Sequence, residues 1–295
     1  PYEILEKIGQ GGQGTVLKGI HSETKEKVAI KVLPVHSTSQ FAFEAEYQAM
    51  SKLTSKTPNV CKINNFLIDE ENAYLIMNHY DCDLFEYAFE NGNRSELQEF
   101  EAKILFTKIC KGVRGLHRAR IAHLDLKPEN ILLDLETLEP YICDFGSAFT
   151  SACATKNRRK SRATIQAVPA LGQRGTRKFS SPEMIASPHI YDPFRSDIYS
   201  LGIILHVLIT GFFPETLNEQ DGKEKRDFTL AKSVMSPQCF DLLSSLTNST
   251  PSKRMCIDQV FNHPWIKPKR RTSLAAWPNQ LRVKFNNKIF QIKKK

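Results

Sequence analysis

Four glycines within six residues, Gly9, Gly11, Gly12 and Gly14, do more than any other feature to limit what this chain can fold into. Glycines let backbone N–H groups approach a phosphate with no Cβ in the way. A dinucleotide-binding unit would need a helix directly after such a loop. Here residues 2–8 before it and residues 15–19 and 27–33 after it are short runs rich in β-branched or apolar residues, so the glycines belong to a strand–loop–strand hairpin. The last of these strands ends in Val28-Ala29-Ile30-Lys31, and a lysine in so apolar a run calls for an anionic partner. Taken alone, the same residues are equally well a glycine-rich hairpin with no ligand.

The rest of the chain changes period. Residues 41–53 carry Tyr47, Met50 and Leu53 at helical spacing, with Glu44 and Glu46 alongside. Strand-like residues 60–68 and 73–77 follow, and beyond Asp83 the pattern is mainly helical. Ser95-Glu96-Leu97-Gln98 reads as a capping box opening a helix that runs to about Arg118, with Leu105, Ile109, Val113 and Leu116 on one face. Further helices are expected over 196–209, 238–247 and 257–261. The expected class is therefore α+β, a small β-rich unit followed by a larger helical one. After Trp265 the pattern differs: Leu281, Val283 and Phe285 alternate with Arg282 and Lys284 before Asn286-Asn287, which predicts a hairpin.

Composition narrows the function. With 41% hydrophobic and 25% charged residues, the chain is not disordered throughout. The most apolar stretch, 201–209, contains His206 and is too short to span a bilayer. Neither a basic n-region nor an apolar h-region follows Pro1, so no signal peptide is expected, and sequence before Pro1 is expected to be missing. The net charge of +9 is local: residues 267–295 hold ten Lys/Arg and residues 145–182 hold eight, neither with an acid. The remainder has 23 basic against 32 acidic residues, which argues against a nucleic-acid-binding body. Seven scattered cysteines with no CxxC pair fit neither a zinc site nor a disulfide framework, but a reducing compartment.

His123-Leu124-Asp125-Leu126-Lys127-Pro128-Glu129-Asn130 and, later, Asp144-Phe145-Gly146 supply Asp125, Asn130 and Asp144 in order. Phosphoryl transfer needs such a set, one base for the attacking hydroxyl and two oxygen ligands holding Mg²⁺ against the phosphates. Any one of them alone is as readily an Asx-turn. Together with Gly9–Gly14 and Lys31, the set resembles that of the eukaryotic protein kinases over residues 2–266. The resemblance implies a bilobal fold, a β-rich N-lobe over 1–79 and a helical C-lobe over 80–268, with ATP between them and 269–295 as a basic tail. It places Ile8, Gly9, Gly11, Gly14, Val16, Ala29, Met77, Asn78, Tyr80 and Leu132 around the nucleotide, with His79 also in the hinge. Lys31 would hold phosphates and pair with Glu46, preferred to Glu44 because Met50 and Leu53 then pack inward. Asp125 would be the base, Lys127 a contact to the transferred phosphate, and Asn130 and Asp144 the Mg²⁺ ligands. Met50, Ile63, His123 and Phe145 would stack as an ordering spine.

Lys127, the Gly175-Thr176 pair before Ser181-Pro182-Glu183, and Arg254 as partner of Glu183 resemble the Ser/Thr protein kinases rather than tyrosine or small-molecule kinases. Asp197 would brace the catalytic loop. The segment around His123–Asn130 and the ending His263-Pro264-Trp265 resemble the calcium/calmodulin kinase group. Leu124 stands where an arginine would grip an activation-segment phosphate, as in myosin light-chain and death-associated kinases, so activity independent of that phosphorylation is expected. Arg177 and Lys178 suggest acidic substrates, whereas Asp83 and Glu129 sit where basophilic relatives hold arginines. Cys143 is either a small buried hydrophobe or a reachable thiol. For the lysine- and arginine-rich tail an acidic partner, an autoinhibitory contact and a membrane-binding one stay open, whereas Pro278 and the alternating pattern speak against the calmodulin-binding helix of some relatives. Residues 267–271 resemble a nuclear-localisation patch, and Ser161 and Ser273 follow basic residues as phosphorylation sites would. A cytoplasmic or nuclear Ser/Thr kinase using ATP and Mg²⁺ is the expectation, the alternative being a pseudokinase-like scaffold or a kinase silenced by its tail.

Overall fold

The computed structural model describes residues 2–11, 14–35, 40–54, 56–89, 97–151, 168–169, 174–187, 190–218 and 224–267. Gly12, Ser95, Ser161, Ser273 and the 269–295 tail, with its expected hairpin, lie outside the described residues.

Strands β1 (Tyr2–Gly11), β2 (Gly14–His21) and β3 (Lys27–Pro34), helix α1 (Gln40–Ser51), and strands β4 (Ile63–Ile68) and β5 (Asn72–Asn78) come first. The strands form one antiparallel sheet in the order β1-β2-β3-β5-β4. β3 lies at its centre and buries Val28, Ala29, Ile30 and Lys31 in succession, as a strand covered on both faces does. Residues 60–62 do not extend β4. Val60 instead bridges Ile142 in parallel, and the Cys61 N–H donates to the Ile142 carbonyl at 2.8 Å, which ties this region to the later part of the chain.

A helical region follows, opening with β6 (Cys82–Asp83), α2 (Leu84–Phe89) and α3 (Glu99–Arg118). The helix α3 starts later than the sequence pattern suggested, because its cap is Gln98, whose N–H donates to Glu101 Oε2 at 2.9 Å. Leu105, Ile109, Val113 and Leu116 all turn into the core. The short strands β7 (Ile121–Ala122), β8 (Ile131–Asp134), β9 (Glu139–Ile142) and β10 (Phe149–Thr150) frame the loops that carry the site. After them come β11 (Val168–Pro169), α4 (Pro182–Ala186), β12 (Ile190–Tyr191) and α5 (Pro193–Thr210).

Helix α5 is apolar nearly all round and buried along its length, as a central core helix must be. It begins three residues before the apolar pattern does, since Asp192 caps the N–H groups of Phe194 and Arg195 and Pro193 suits the first turn. The chain closes with the hairpin β13 (Glu215–Asn218) and β14 (Glu224–Asp227), then α6 (Thr229–Val234), α7 (Pro237–Leu246) and α8 (Ile257–Val260). The β13–β14 pair and α6 were not legible in the sequence. Among the described residues no helix is long and apolar enough to cross a membrane.

Candidate active site

Lys31 cannot sit in the middle of a buried strand without compensation, and it has two carboxylates. Its Nζ donates to Glu46 Oε2 of α1 at 2.6 Å and to Asp144 Oδ1 at 2.8 Å. Glu44, two residues earlier on α1, is exposed. Burial works against the ammonium, but Glu46 and Asp144 outweigh it and hold Lys31 well above the ordinary lysine range. Burial alone would neutralise Glu46, and the ammonium opposes that. Asp144 feels the same desolvation, yet Lys31 draws its carboxyl below the usual range. The side chain of Asp144 is 31% exposed against 1% for Glu46, so of the two it is the carboxylate that faces the open cleft.

That cleft is a cavity of about 320 Å³. Ile8, Gly9, Val16, Ala29 and Lys31 line it from the sheet. Met77, Asn78, His79 and Tyr80 line it where the sheet leads into the helical part, and Asn130, Leu132 and Asp144 from the later loops. Gly11 ends β1 opposite Gly14. Gly14 has a packing reason of its own: its φ is +152°, and a Cβ there would lie 2.2 Å from the Val32 carbonyl of β3. Cys61, Glu129 and Cys143 also line the cavity. Cys61 escaped the sequence reading because only its long-range pairing beside Ile142 brings it there. The Cys61 side chain, and then burial, push the Cys143 thiol well above its ordinary value.

Beside the cleft, donors converge on Asp125. Its Oδ2 accepts from Lys127 Nζ at 2.9 Å and Asn130 Nδ2 at 3.0 Å, and its Oδ1 accepts from the Thr176 N–H at 2.8 Å. Lys127 Nζ also donates to Thr176 Oγ1 at 2.8 Å, so one ammonium joins the loop of Asp125 to the later segment. With Nδ2 of Asn130 bonded to Asp125, its Oδ1 is the atom it can offer a cation. Gly175 makes the approach possible: its φ is +70°, and a Cβ would fall 2.2 Å from the Leu124 carbonyl.

The loop is held from below. Leu124 has φ +63°, an unusual conformation for a bulky residue, and Asp197 of α5 fixes it by accepting from the N–H groups of His123 at 2.9 Å and Leu124 at 2.8 Å. His123 Nδ1 accepts from the Asp125 N–H at 3.2 Å, so its Nε2 donates to the Cys143 carbonyl at 2.8 Å, joining the two loops. The His123 and Phe145 rings lie 5.0 Å apart, Met50 and Phe145 are buried in the same core, and Ile63 packs against it. The Leu124 side chain packs with Ala122, Met184 and Tyr191. Glu183 meets Arg254 at 2.7 and 3.0 Å. Asp83 is committed to local structure, its Oδ1 accepting from the Glu86 N–H at 2.8 Å at the start of α2, with burial pushing its carboxyl up to about 6.

Comparison with known proteins agrees with this geometry. Residues 2–266 match the protein kinase domain. The chain is 28% identical over 270 residues to a putative sperm motility kinase W of Mus musculus, covering 90% of this chain and 50% of that protein. It is 28% identical over 285 residues to a probable serine/threonine-protein kinase MARK-A of Dictyostelium discoideum (93% and 25%), and 27% identical over 299 residues to a carbon catabolite-derepressing protein kinase of Candida glabrata (97% and 45%). The chain thus spans half or less of the length of these relatives. Since the family match takes in the sheet, the cleft and both loops, the chain belongs to the protein kinase family.

Proposed function

We propose that the chain is a protein serine/threonine kinase that transfers the γ-phosphoryl group of ATP to Ser/Thr hydroxyls. The observation that carries this reading is the joining of Asp125 and Thr176 through Lys127, beside a cleft in which Lys31 is held by Glu46 and Asp144. Asp125, oriented by three donors, would accept the proton of the attacking hydroxyl, and Lys127 would meet the transferred phosphate. Lys31 would hold the nucleotide's phosphates, Glu46 keeping it in place. Ala29, Val16 and Leu132 would sandwich the base, with Met77, Asn78 and Tyr80 along its edge and Ile8, Gly9, Gly11 and Gly14 over the phosphates.

Asn130 and Asp144 offer one amide oxygen and one carboxylate, a hard oxygen set suited to Mg²⁺, which keeps waters and phosphate oxygens in its shell. When bound, the ion would neutralise charge between the phosphates.

Labelled ATP, Mg²⁺ and a degenerate Ser/Thr/Tyr peptide library test the reading. Wild type should label Ser/Thr peptides, and Asp125→Asn should lose at least about a thousandfold in kcat, by analogy with other catalytic carboxylates. Equal background from both would favour a scaffold or a chain silenced by its tail. Leu124 adds a corollary. Where a phosphate-gripping arginine would extend, the side chain is buried in an apolar cluster, so turnover should survive phosphatase treatment. Loss on dephosphorylation and return on rephosphorylation would contradict it.

A further inference from the structure

A second cavity, of about 910 Å³, opens next to Thr176, and the mechanism above makes no use of it. Arg177 and Glu183 line it from the segment after Thr176, and Lys225 and Arg226 from β14, with Ser249 and Thr250 at another wall. Arg177, Lys225 and Arg226 thus contribute cationic side chains to its lining, and both carboxylate oxygens of Glu183 are bonded to Arg254. Arg226 fastens the two walls together: Nη2 donates to the Arg177 carbonyl at 3.5 Å, and Nη1 to Thr216 Oγ1 of β13.

We propose that this groove binds acidic residues that follow the phosphoacceptor in a peptide substrate, so that Arg177, Lys225 and Arg226 set the specificity of the transfer. The inference rests on the kinase reading and deepens it. Arg177 follows Thr176, whose N–H bonds Asp125, so the groove starts one residue from a direct partner of the carboxylate that would take the hydroxyl's proton. An extended peptide advances about 3.3–3.6 Å per residue, which puts the first three positions after the acceptor within reach. Guanidinium and ammonium groups beside hydroxyl-bearing residues match carboxylates on such a peptide.

The structure also weighs against the opposite preference. Asp83, the first candidate for holding a substrate arginine, caps α2, and Glu129 lines the nucleotide cleft. Lys178, in contrast, lies 4.9 Å over the Phe213 ring, which leaves Arg177 as the cation of that segment that lines the groove.

The test uses the whole chain with Ser peptides carrying Asp, Ala or Lys at each of the three positions after the acceptor. Wild type should favour the acidic peptides over the alanine peptides by roughly ten- to a hundredfold in kcat/KM, mainly through KM, and less so at high salt. Lys225 is exposed, so Lys225→Glu should fold, cut that preference about fivefold and improve the lysine peptides. No preference, a basic preference, or an acidic preference untouched by Lys225→Glu would overturn the proposal. If no peptide is labelled, the kinase reading fails, and the groove is judged by binding alone. A fluorescent acidic peptide should then bind Asp125→Asn more tightly than its basic counterpart, and weaken when Lys225→Glu is added. Equal binding of both peptides would overturn the groove's assignment.

Discussion

Among the ion pairs of the described residues, Lys31 with its carboxylates and Arg254 with Glu183 are built to different ends. Arg254 donates from Nε to Asn248 O, from Nη1 to Glu183 and Arg195 O, and from Nη2 to Glu183 and Asn248 O. All five guanidinium donors are therefore met, in one fixed arrangement. Lys31 instead places one ammonium between two carboxylates, and the more exposed of these borders an open cavity. An excess carboxylate at a cleft suits a cation and a phosphate that come and go. A closed set of donors suits a joint that must not move. The difference teaches that burial of charge alone does not identify function: whether the local charges balance, and whether one of them faces a cavity, does.

The sharpest way to break this comparison is to cut each pair. Arg254→Met leaves Glu183 without its partner and should cost about 3–5 kcal/mol, read as a lower urea midpoint. Lys31→Met should cost less than about 2 kcal/mol, because burial already pushes Glu46 toward its neutral form and it can take a proton. Equal losses would erase the distinction.

The next effect extends the comparison to a buried titratable group of the helical core. Burial holds His206 down at about 4, although its Nδ1 donates to the Phe212 carbonyl at 2.9 Å and Nε2 has no partner among the described residues. The unfolded chain, with an ordinary histidine near 6.5, therefore binds more protons than the native state between these values. Stability is full above pH 6.5 and falls by roughly 3 kcal/mol as the pH drops to 4. His206→Asn keeps a donor and cannot titrate there, so urea midpoints at pH 7.5 and 4.5 should lie closer together in the variant.

Gly175→Ala sharpens the comparison from the catalytic side. Its Cβ would displace the Leu124 carbonyl or the Thr176 N–H from Asp125, and kcat should fall about ten- to a hundredfold with a modest change in melting temperature. The smallest effect concerns Cys143. With its thiol pushed up by Cys61 and by burial, it should react with iodoacetamide at pH 7.5 at least about tenfold more slowly than a free thiol.

What the sequence disclosed and what it hid follow one physical rule. Lys31, Asp125, Asn130 and Asp144 lie in short local motifs that the resemblance to protein kinases singled out, while β3 and α3 were legible from their apolar residues. The strands of β13 and β14 read Glu215-Thr216-Leu217-Asn218 and Glu224-Lys225-Arg226-Asp227, with no apolar face, so only their mutual backbone pairing defines them. The cleft position of Cys61 depends likewise on a distant partner, Ile142, 81 residues away along the chain. Residues whose neighbours are near in sequence were legible, and those fixed by distant or purely backbone contacts were not.

On the proposed reading the Lys31 pair serves a nucleotide and the Arg254 pair serves the fold. The most direct test is the melting temperature of wild type, Lys31→Met and Arg254→Met, with and without Mg²⁺ and a non-hydrolysable ATP analogue. A saturating ligand should stabilise wild type by about 2–3 kcal/mol at a hundred times its Kd. Lys31→Met should melt within a few degrees of wild type and lose most of that ligand shift, while Arg254→Met should melt far lower without ligand. A full ligand shift in Lys31→Met, or melting as low as that of Arg254→Met, would contradict it.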